Sequence, residues 1–148
     1  MSFRLQLPRK LREGMIDHAR TDIPNECVGL LAGIIEGGMG VVRARYPLVN
    51  AAASPVEYVS QPESMFAACR SMHEHGLDIL AIYHSHPTSA PIPSRADLAR
   101  SYSPDVVNFI ISLRSEPPML RAWWLNEDGY RELDCYWLLE EAFSPTAI

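Results

Sequence analysis

A chain of 148 residues, 47% hydrophobic and 21% charged, has the size and composition of one globular domain with a proper core, which excludes disordered and fibrous classes. Its formal charge of −5, from 13 basic and 18 acidic residues, offers no basic stripe for nucleic acid and no polybasic segment for anionic lipid. Cys27, Cys69 and Cys135 stand far apart with no C-x-x-C pair, which fits neither a disulfide framework nor a cysteine zinc cage and suits a reducing, cytoplasmic setting.

Phe3, Leu5 and Leu7 alternate with polar residues and predict a short opening strand with one buried face. From Pro8 to Arg20, Leu11, Met15 and Ala19 recur at four-residue spacing with Ile16 beside them, the pattern of an amphipathic helix that Thr21-Asp22-Ile23-Pro24 ends. The apolar run Cys27 to Ile35 turns at Gly37-Gly38-Met39-Gly40 into Val41 to Tyr46, a β-hairpin. A short strand is expected at Val56 to Val59. Ser60-Gln61-Pro62-Glu63 then has capping-box order ahead of Met65, Phe66, Cys69 and Met72, the expected buried stripe of a second helix closed by Gly76.

Ile79 to Tyr83 is too short for a helix and reads as a strand buried on both faces that delivers His84-Ser85-His86. The proline-rich loop Pro87 to Pro93 leads into Ser94-Arg95-Ala96-Asp97, the first turn of a third helix ending near Tyr102, before Pro104. Val106 to Leu113 and Leu120 to Leu125 read as strands, and Asp128-Gly129 as a turn into Tyr130 to Leu138. Trp123 and Trp124 are adjacent and should face opposite ways, one in the core and the other exposed or on a partner surface. The element order predicts an α/β fold, a single domain over 1–148 with a mixed sheet flanked by helices. No run approaches the ~20 apolar residues of a bilayer span, and the first residues lack the apolar stretch of a signal peptide.

His84 and His86 lie two apart on a strand, so both side chains leave the same face at a strand end and can reach one metal. Asp97, swung back by the proline-rich loop, would add a carboxylate oxygen. Two imidazoles and one carboxylate leave a tetrahedral zinc ion one open position. The same residues also fit plainer roles: strand-end histidines are commonly hydrogen-bonded, and Ser94-x-x-Asp97 fits a helix cap, which is compatible with a metal beside it. A metal hydrolase needs a base for the water proton. Glu26, set against the apolar strand, is the candidate; a solvated loop glutamate is the alternative. His73-Glu74-His75 cannot share an ion, because two-residue spacing on a helix turns side chains about 200° apart. Cys27 should point away from the histidines, which argues against a nucleophile there.

Taken together, Pro24-x-Glu26-x-x-Gly29-Leu30-Leu31-x-Gly33, His84-Ser85-His86-Pro87 and Ser94-x-x-Asp97 resemble the JAMM motif of the MPN-domain metalloproteases, in the small stand-alone prokaryotic form. Asn50 to Ser54 and Tyr58-x-x-x-Pro62 add to the likeness. The resemblance implies a fold similar to cytidine deaminases, with His84, His86 and Asp97 binding one Zn2+ per chain. It further implies Glu26 as general base and then acid, and a Ser94 hydroxyl that helps stabilise the oxyanion. Deaminase chemistry itself is disfavoured, because the H-x-E and P-C-x-x-C signature is missing.

The resemblance implies a zinc isopeptidase or peptidase cutting after the C-terminal Gly-Gly of a ubiquitin-like protein. The chain looks most like bacterial members that act on ubiquitin-like sulfur-carrier proteins, some releasing cysteine. A partner of that kind is expected, with no nucleic acid and no membrane, and a homodimer is left open. The rival readings are a non-catalytic MPN scaffold, which usually lacks a ligand that is present here, and a peptidoglycan hydrolase.

Overall fold

The computed structural model describes residues 3–100, 103–133 and 136–139. Strand β1 (Arg4–Pro8) leads into helix α1 (Arg9–Thr21), and β2 (Val28–Glu36) and β3 (Met39–Leu48) form the expected hairpin. Then come α2 (Pro62–Glu74), β4 (Asp78–His86), α3 (Arg95–Ala99), β5 (Val107–Ser112), β6 (Met119–Asn126), β7 (Gly129–Glu132) and β8 (Tyr136–Leu139). The strands make one mixed sheet in the order β7-β6-β5-β4-β2-β3-β1-β8. Pairing is parallel at β1/β3, β1/β8 and β4/β5 and antiparallel elsewhere. The architecture is the α/β mixed sheet with flanking helices that the element order predicts.

Glu132 ends one edge strand and Tyr136 opens the other, yet the chain between them can reach only ~14 Å. The sheet therefore curls until its edges approach, and Phe3 meets Trp124 of β6 edge to face at 5.2 Å. Inside the curl, α1 buries Leu11, Met15, Ile16 and Ala19 in one cluster with Leu7, Leu31, Phe109 and Ile111. On the other face α2 packs Ala68 and Met72 against Val28, Leu30 and Ile82. Among the described residues no helix is long and apolar enough to cross a membrane.

A polar network crosses the α1 face. The Tyr83 hydroxyl lies 2.7 Å from His18 Nδ1 and accepts from Arg45 at 3.1 Å, and His18 Nε2 stands 3.4 Å from Asp22. A Cβ on Gly29 would run into the Tyr83 ring, so the bare glycine backbone is what lets that ring lie flat across β2.

Several local expectations need correction. Residues 56–59 form no strand; a lone bridge joins Asn50 to Ser60, and Val56 is 71% exposed. The Ser60 capping box does not form. Gln61 is the N-cap, without a side-chain bond, and Pro62 begins the helix. Phe66 and Cys69 are exposed, and the buried side of α2 runs through Ala68 and Met72 with Met65 packed beside them. Gly76 does close the helix, at φ 66°, with Leu77 N donating to the Met72 carbonyl and Gly76 N to that of His73, a Schellman motif. Strand β4 runs from Asp78 through His86, longer than the expected Ile79 to Tyr83, and holds both histidines at its end as expected. Helix α3 stops at Ala99, and Tyr102 lies outside the described residues. The turn into β7 is one residue early, with Asn126 paired to Gly129. The expected last strand is two, β7 and β8 on opposite edges. Trp123 and Trp124 are both buried, because β6 carries a packed cluster on each face.

Candidate metal centre

Strand β4 is buried from Leu80 to His86, held between antiparallel β2 and parallel β5. His84 pairs with Val28, so His84 and His86 face the α2 side, where the Tyr58 ring lies 4.9 Å from that of His84. Ser85 between them points the other way. Its hydroxyl accepts from the Cys27 amide at 2.8 Å, and its own amide donates to the Cys27 carbonyl. This lock carries the ladder one step past Val28 and sets Glu26, itself buried, beside the histidines. Cys27 faces the α1 cluster, as alternation predicts, and burial pushes its thiol up to about 12.

Asp97 is brought in by α3. Ser94 is the N-cap: its hydroxyl accepts from the Asp97 amide at 3.1 Å, and its amide donates to Asp97 Oδ2 at 2.8 Å. The expected capping box thus exists, and it aims the carboxylate at the strand end. Asp97 Oδ1 lies 3.1 Å from His84 Nε2, and Oδ2 lies 3.2 Å from His86 Nε2. The two Nε2 atoms are 3.2 Å apart.

The chemistry of this contact set asks for a cation. His86 Nδ1 stands 2.8 Å from the Ala90 carbonyl, and a carbonyl can only accept, so Nδ1 carries the hydrogen and neutral His86 presents a lone pair at Nε2. That lone pair faces a carboxylate oxygen and a second imidazole nitrogen inside a buried pocket. One ligand atom from each of His84, His86 and Asp97 falls within 4.8 Å of the others, a geometry one metal ion satisfies and the three residues alone do not. The buried Glu26 Oε1 also lacks a hydrogen-bond partner among the described residues, as suits a carboxylate reserved for a small polar molecule.

Electrostatics separate the two acids. Burial pushes the Glu26 carboxyl up to about 8; His86 opposes the rise, while Asp97 and Glu57 add to it. Burial alone would also raise Asp97, but the His84 and His86 imidazoles set against it prevail and hold it well below the usual carboxylate range. Burial would lower His86, yet the facing Asp97 carboxylate and the Ala90 carbonyl raise it. One carboxyl is kept ready to take a proton and the other is kept anionic.

Asn50 stands out less in the sequence than it does in space. Its amide donates to the carbonyls of Glu26 and Glu57 at 2.9 and 3.1 Å, and its oxygen accepts from Ala52 and Val59, both at 3.0 Å. It ties the entry of β2 to the loop that lays Tyr58 on His84. Arg100 clamps the same loop from the end of α3, donating to the Tyr58 carbonyl at 3.0 Å and pairing with Glu57 at 3.3 Å. In the sequence Asn50 enters only with the Asn50 to Ser54 segment that adds to the likeness, and nothing there marks its partners.

The chain is similar to known proteins in sequence and fold. The family model described as prokaryotic homologs of the JAB domain matches residues 8–126. A desampylase of Haloferax volcanii is 36% identical, over 89% of this chain and 95% of that protein. A CysO-cysteine peptidase of Mycobacterium tuberculosis is 33% identical over 70% of each. The solution structure of a Desulfitobacterium hafniense protein superposes with a TM-score of 0.84 at 33% identity, covering 93% of this chain and 94% of that one.

Proposed function

The chain belongs to the family of prokaryotic homologues of the JAB domain, and on that premise we propose that it is a zinc-dependent peptidase or isopeptidase. Its substrate in this reading is a conjugate of a ubiquitin-like sulfur-carrier protein, cut at the bond after the carrier's C-terminal glycine. The observation that carries the reading is the buried convergence of His84, His86 and Asp97 beside a carboxyl raised to about 8. The similarity to a desampylase and to a CysO-cysteine peptidase supports the substrate class, and with the second of these, release of cysteine as one product.

His84, His86 and Asp97 would hold the ion, and two nitrogens with one oxygen suit zinc. When bound, such an ion supplies Lewis acidity that activates water and polarises a carbonyl. Glu26 takes the proton of the attacking water and returns it to the leaving amine. The Ser94 hydroxyl accepts from the Asp97 amide, so its own proton is directed outward, toward the oxygen of the scissile carbonyl as charge develops there. The cap and the oxyanion role therefore use different faces of one hydroxyl.

The test joins metal content to turnover. Elemental mass spectrometry after zinc loading should give one ion per wild-type chain and none for His86→Ala. Glu26→Gln should keep the zinc and lose at least ~100-fold in cleavage of a carrier conjugate, the scale of general acid–base catalysis. Zinc retained with no cleavage of any carrier conjugate by the wild type would favour a binding scaffold instead. A folded wild type without zinc would sink the metalloprotease reading.

A further inference from the structure

The two histidines are held differently. His84 Nδ1 is buried with no hydrogen-bond partner among the described residues, so no acceptor there holds the ring with Nε2 left open. His86 has such an acceptor, the Ala90 carbonyl at Nδ1, and Ala90 sits in the loop of residues 87–93, which has no regular structure. A ligand oriented by a loop carbonyl is only as well oriented as the loop. What holds this loop is therefore part of the site.

Two buried side chains hold it, both from strands outside the motif. Trp123 of β6 donates its indole N–H to the Pro91 carbonyl at 3.0 Å. Ser112, the last residue of β5, donates to the Ser89 carbonyl at 2.7 Å. These anchors fall on either side of Ala90. The indole is itself immobilised. Arg121 lies over it at 4.7 Å, locked by a bidentate pair with Glu132 at 2.8 and 2.7 Å, and Tyr130 meets it edge to face at 5.1 Å. Trp123 also clusters with Ile110 and Leu125, and Leu98 of α3 packs against that group. Leu98 follows Asp97, so the cluster braces both the loop that orients His86 and the helix that presents the carboxylate.

We propose that Trp123 is a positioning residue for the metal centre: its indole N–H, with the Ser112 hydroxyl, pins the 87–93 loop so that the Ala90 carbonyl imposes the Nδ1–H tautomer on His86 and leaves Nε2 open to metal. The inference rests on the reading of His84, His86 and Asp97 as metal ligands and adds to it residues that touch neither metal nor substrate. Trp124 supplies the internal comparison. It is equally buried, packs against Phe3, and its indole N–H has no partner among the described residues.

The experiment compares Trp123→Phe, Ser112→Ala and Trp124→Phe with the wild type. Trp123→Phe keeps an aromatic ring under Arg121 and removes the donor with part of the ring volume, a loss of volume that Trp124→Phe shares. In metal-free, nitrogen-15-labelled protein, at an alkaline pH where the imidazole is neutral, two-bond proton–nitrogen spectra should show His86 as one Nδ1–H tautomer in the wild type and in Trp124→Phe. They should show mixed tautomers in Trp123→Phe and Ser112→Ala. Zinc dissociation constants from chelator competition should rise about tenfold in those two variants, the low end of the loss seen when an outer partner of a ligand is removed, and stay within twofold in Trp124→Phe. A single His86 tautomer and unchanged zinc affinity in both Trp123→Phe and Ser112→Ala would overturn the proposal. So would an equal loss in Trp124→Phe, which would make the effect one of packing. If Trp123→Phe does not fold, Ser112→Ala decides alone. The tautomer reading needs neither metal nor substrate, so it stands or falls apart from the peptidase activity.

Discussion

Ser85 and Cys27 exchange two hydrogen bonds, one through the serine hydroxyl and one through its amide, and so bind the strand carrying the histidines to the strand that Glu26 precedes. The residue between the two histidines thus does its work on the opposite face of the sheet. Ser85→Ala leaves the buried Cys27 N–H without its side-chain acceptor, and stability should fall by about 1–3 kcal/mol. Urea unfolding monitored by circular dichroism measures this, with the slope unchanged and only the midpoint moved.

Asn50 gives a sharper substitution. Asp at this position keeps the acceptor for the Ala52 and Val59 amides but sets a carboxylate oxygen against the Glu26 and Glu57 carbonyls. Asn50→Asp should therefore cost more than Asn50→Ala, by about 1 kcal/mol or more, since an acceptor facing acceptors is worse than a gap. If the entry of β2 positions Glu26 for proton transfer, kcat should drop in both variants with zinc content unchanged. Equal stability of the two would refute the donor role assigned to this side chain.

Gly29 should tolerate no side chain. A Cβ there meets the Tyr83 ring, which must swing away from His18 and Arg45, so Gly29→Ala combines overpacking with two broken hydrogen bonds and should cost at least ~2 kcal/mol. Shrinking the ring relieves the clash. The double variant Gly29→Ala with Tyr83→Leu should lose less than the sum of the single losses, and a thermal-unfolding double-mutant cycle measures that coupling. Additive losses would contradict the contact.

His18 links the same network to pH. Burial lowers its pKa from the ordinary 6.5; Asp22 acts against the fall and Arg45 adds to it. Between the folded value and 6.5 the unfolded chain binds a proton that the folded chain does not, so this group's contribution is full above 6.5 and is lost as pH falls below it. Urea midpoints from pH 7.5 to 5 should fall more steeply for the wild type than for His18→Gln. Parallel curves would show that the imidazole titrates alike in both states.

The site was legible from the sequence to the extent that its determinants are local. A strand puts His84 and His86 on one face by its own period, and Ser94-x-x-Asp97 places its carboxylate through a cap whose bonds span three residues. Glu26 was legible as a charge set against an apolar strand. Where partners come from far away, the pattern misled. Phe66 fits a helical stripe, but α2 offers the sheet only the Ala68–Met72 side, and Phe66 lies instead 5.4 Å under the Arg70 guanidinium. Trp123 and Trp124 alternate as expected, yet both faces of β6 are covered because the sheet curls and the 87–93 loop folds over one of them. The break between β7 and β8 carries no turn signal, since the two strands separate by joining different edges.

That division of the last strands has a kinetic side. β8 pairs in parallel with β1, matching Leu5 to Tyr136 and Leu7 to Leu138, so segments near opposite ends of the chain are neighbours in the sheet. A nascent chain emerging at ~5–20 residues per second has made β1 through β6 before β8 exists. During synthesis, then, β1 waits with one row of backbone amides and carbonyls unmatched, and the last ladder to close is among the longest in sequence separation. Such distant pairings are slow to form, and until this one does, the open edge of β1 is where a second growing chain could add.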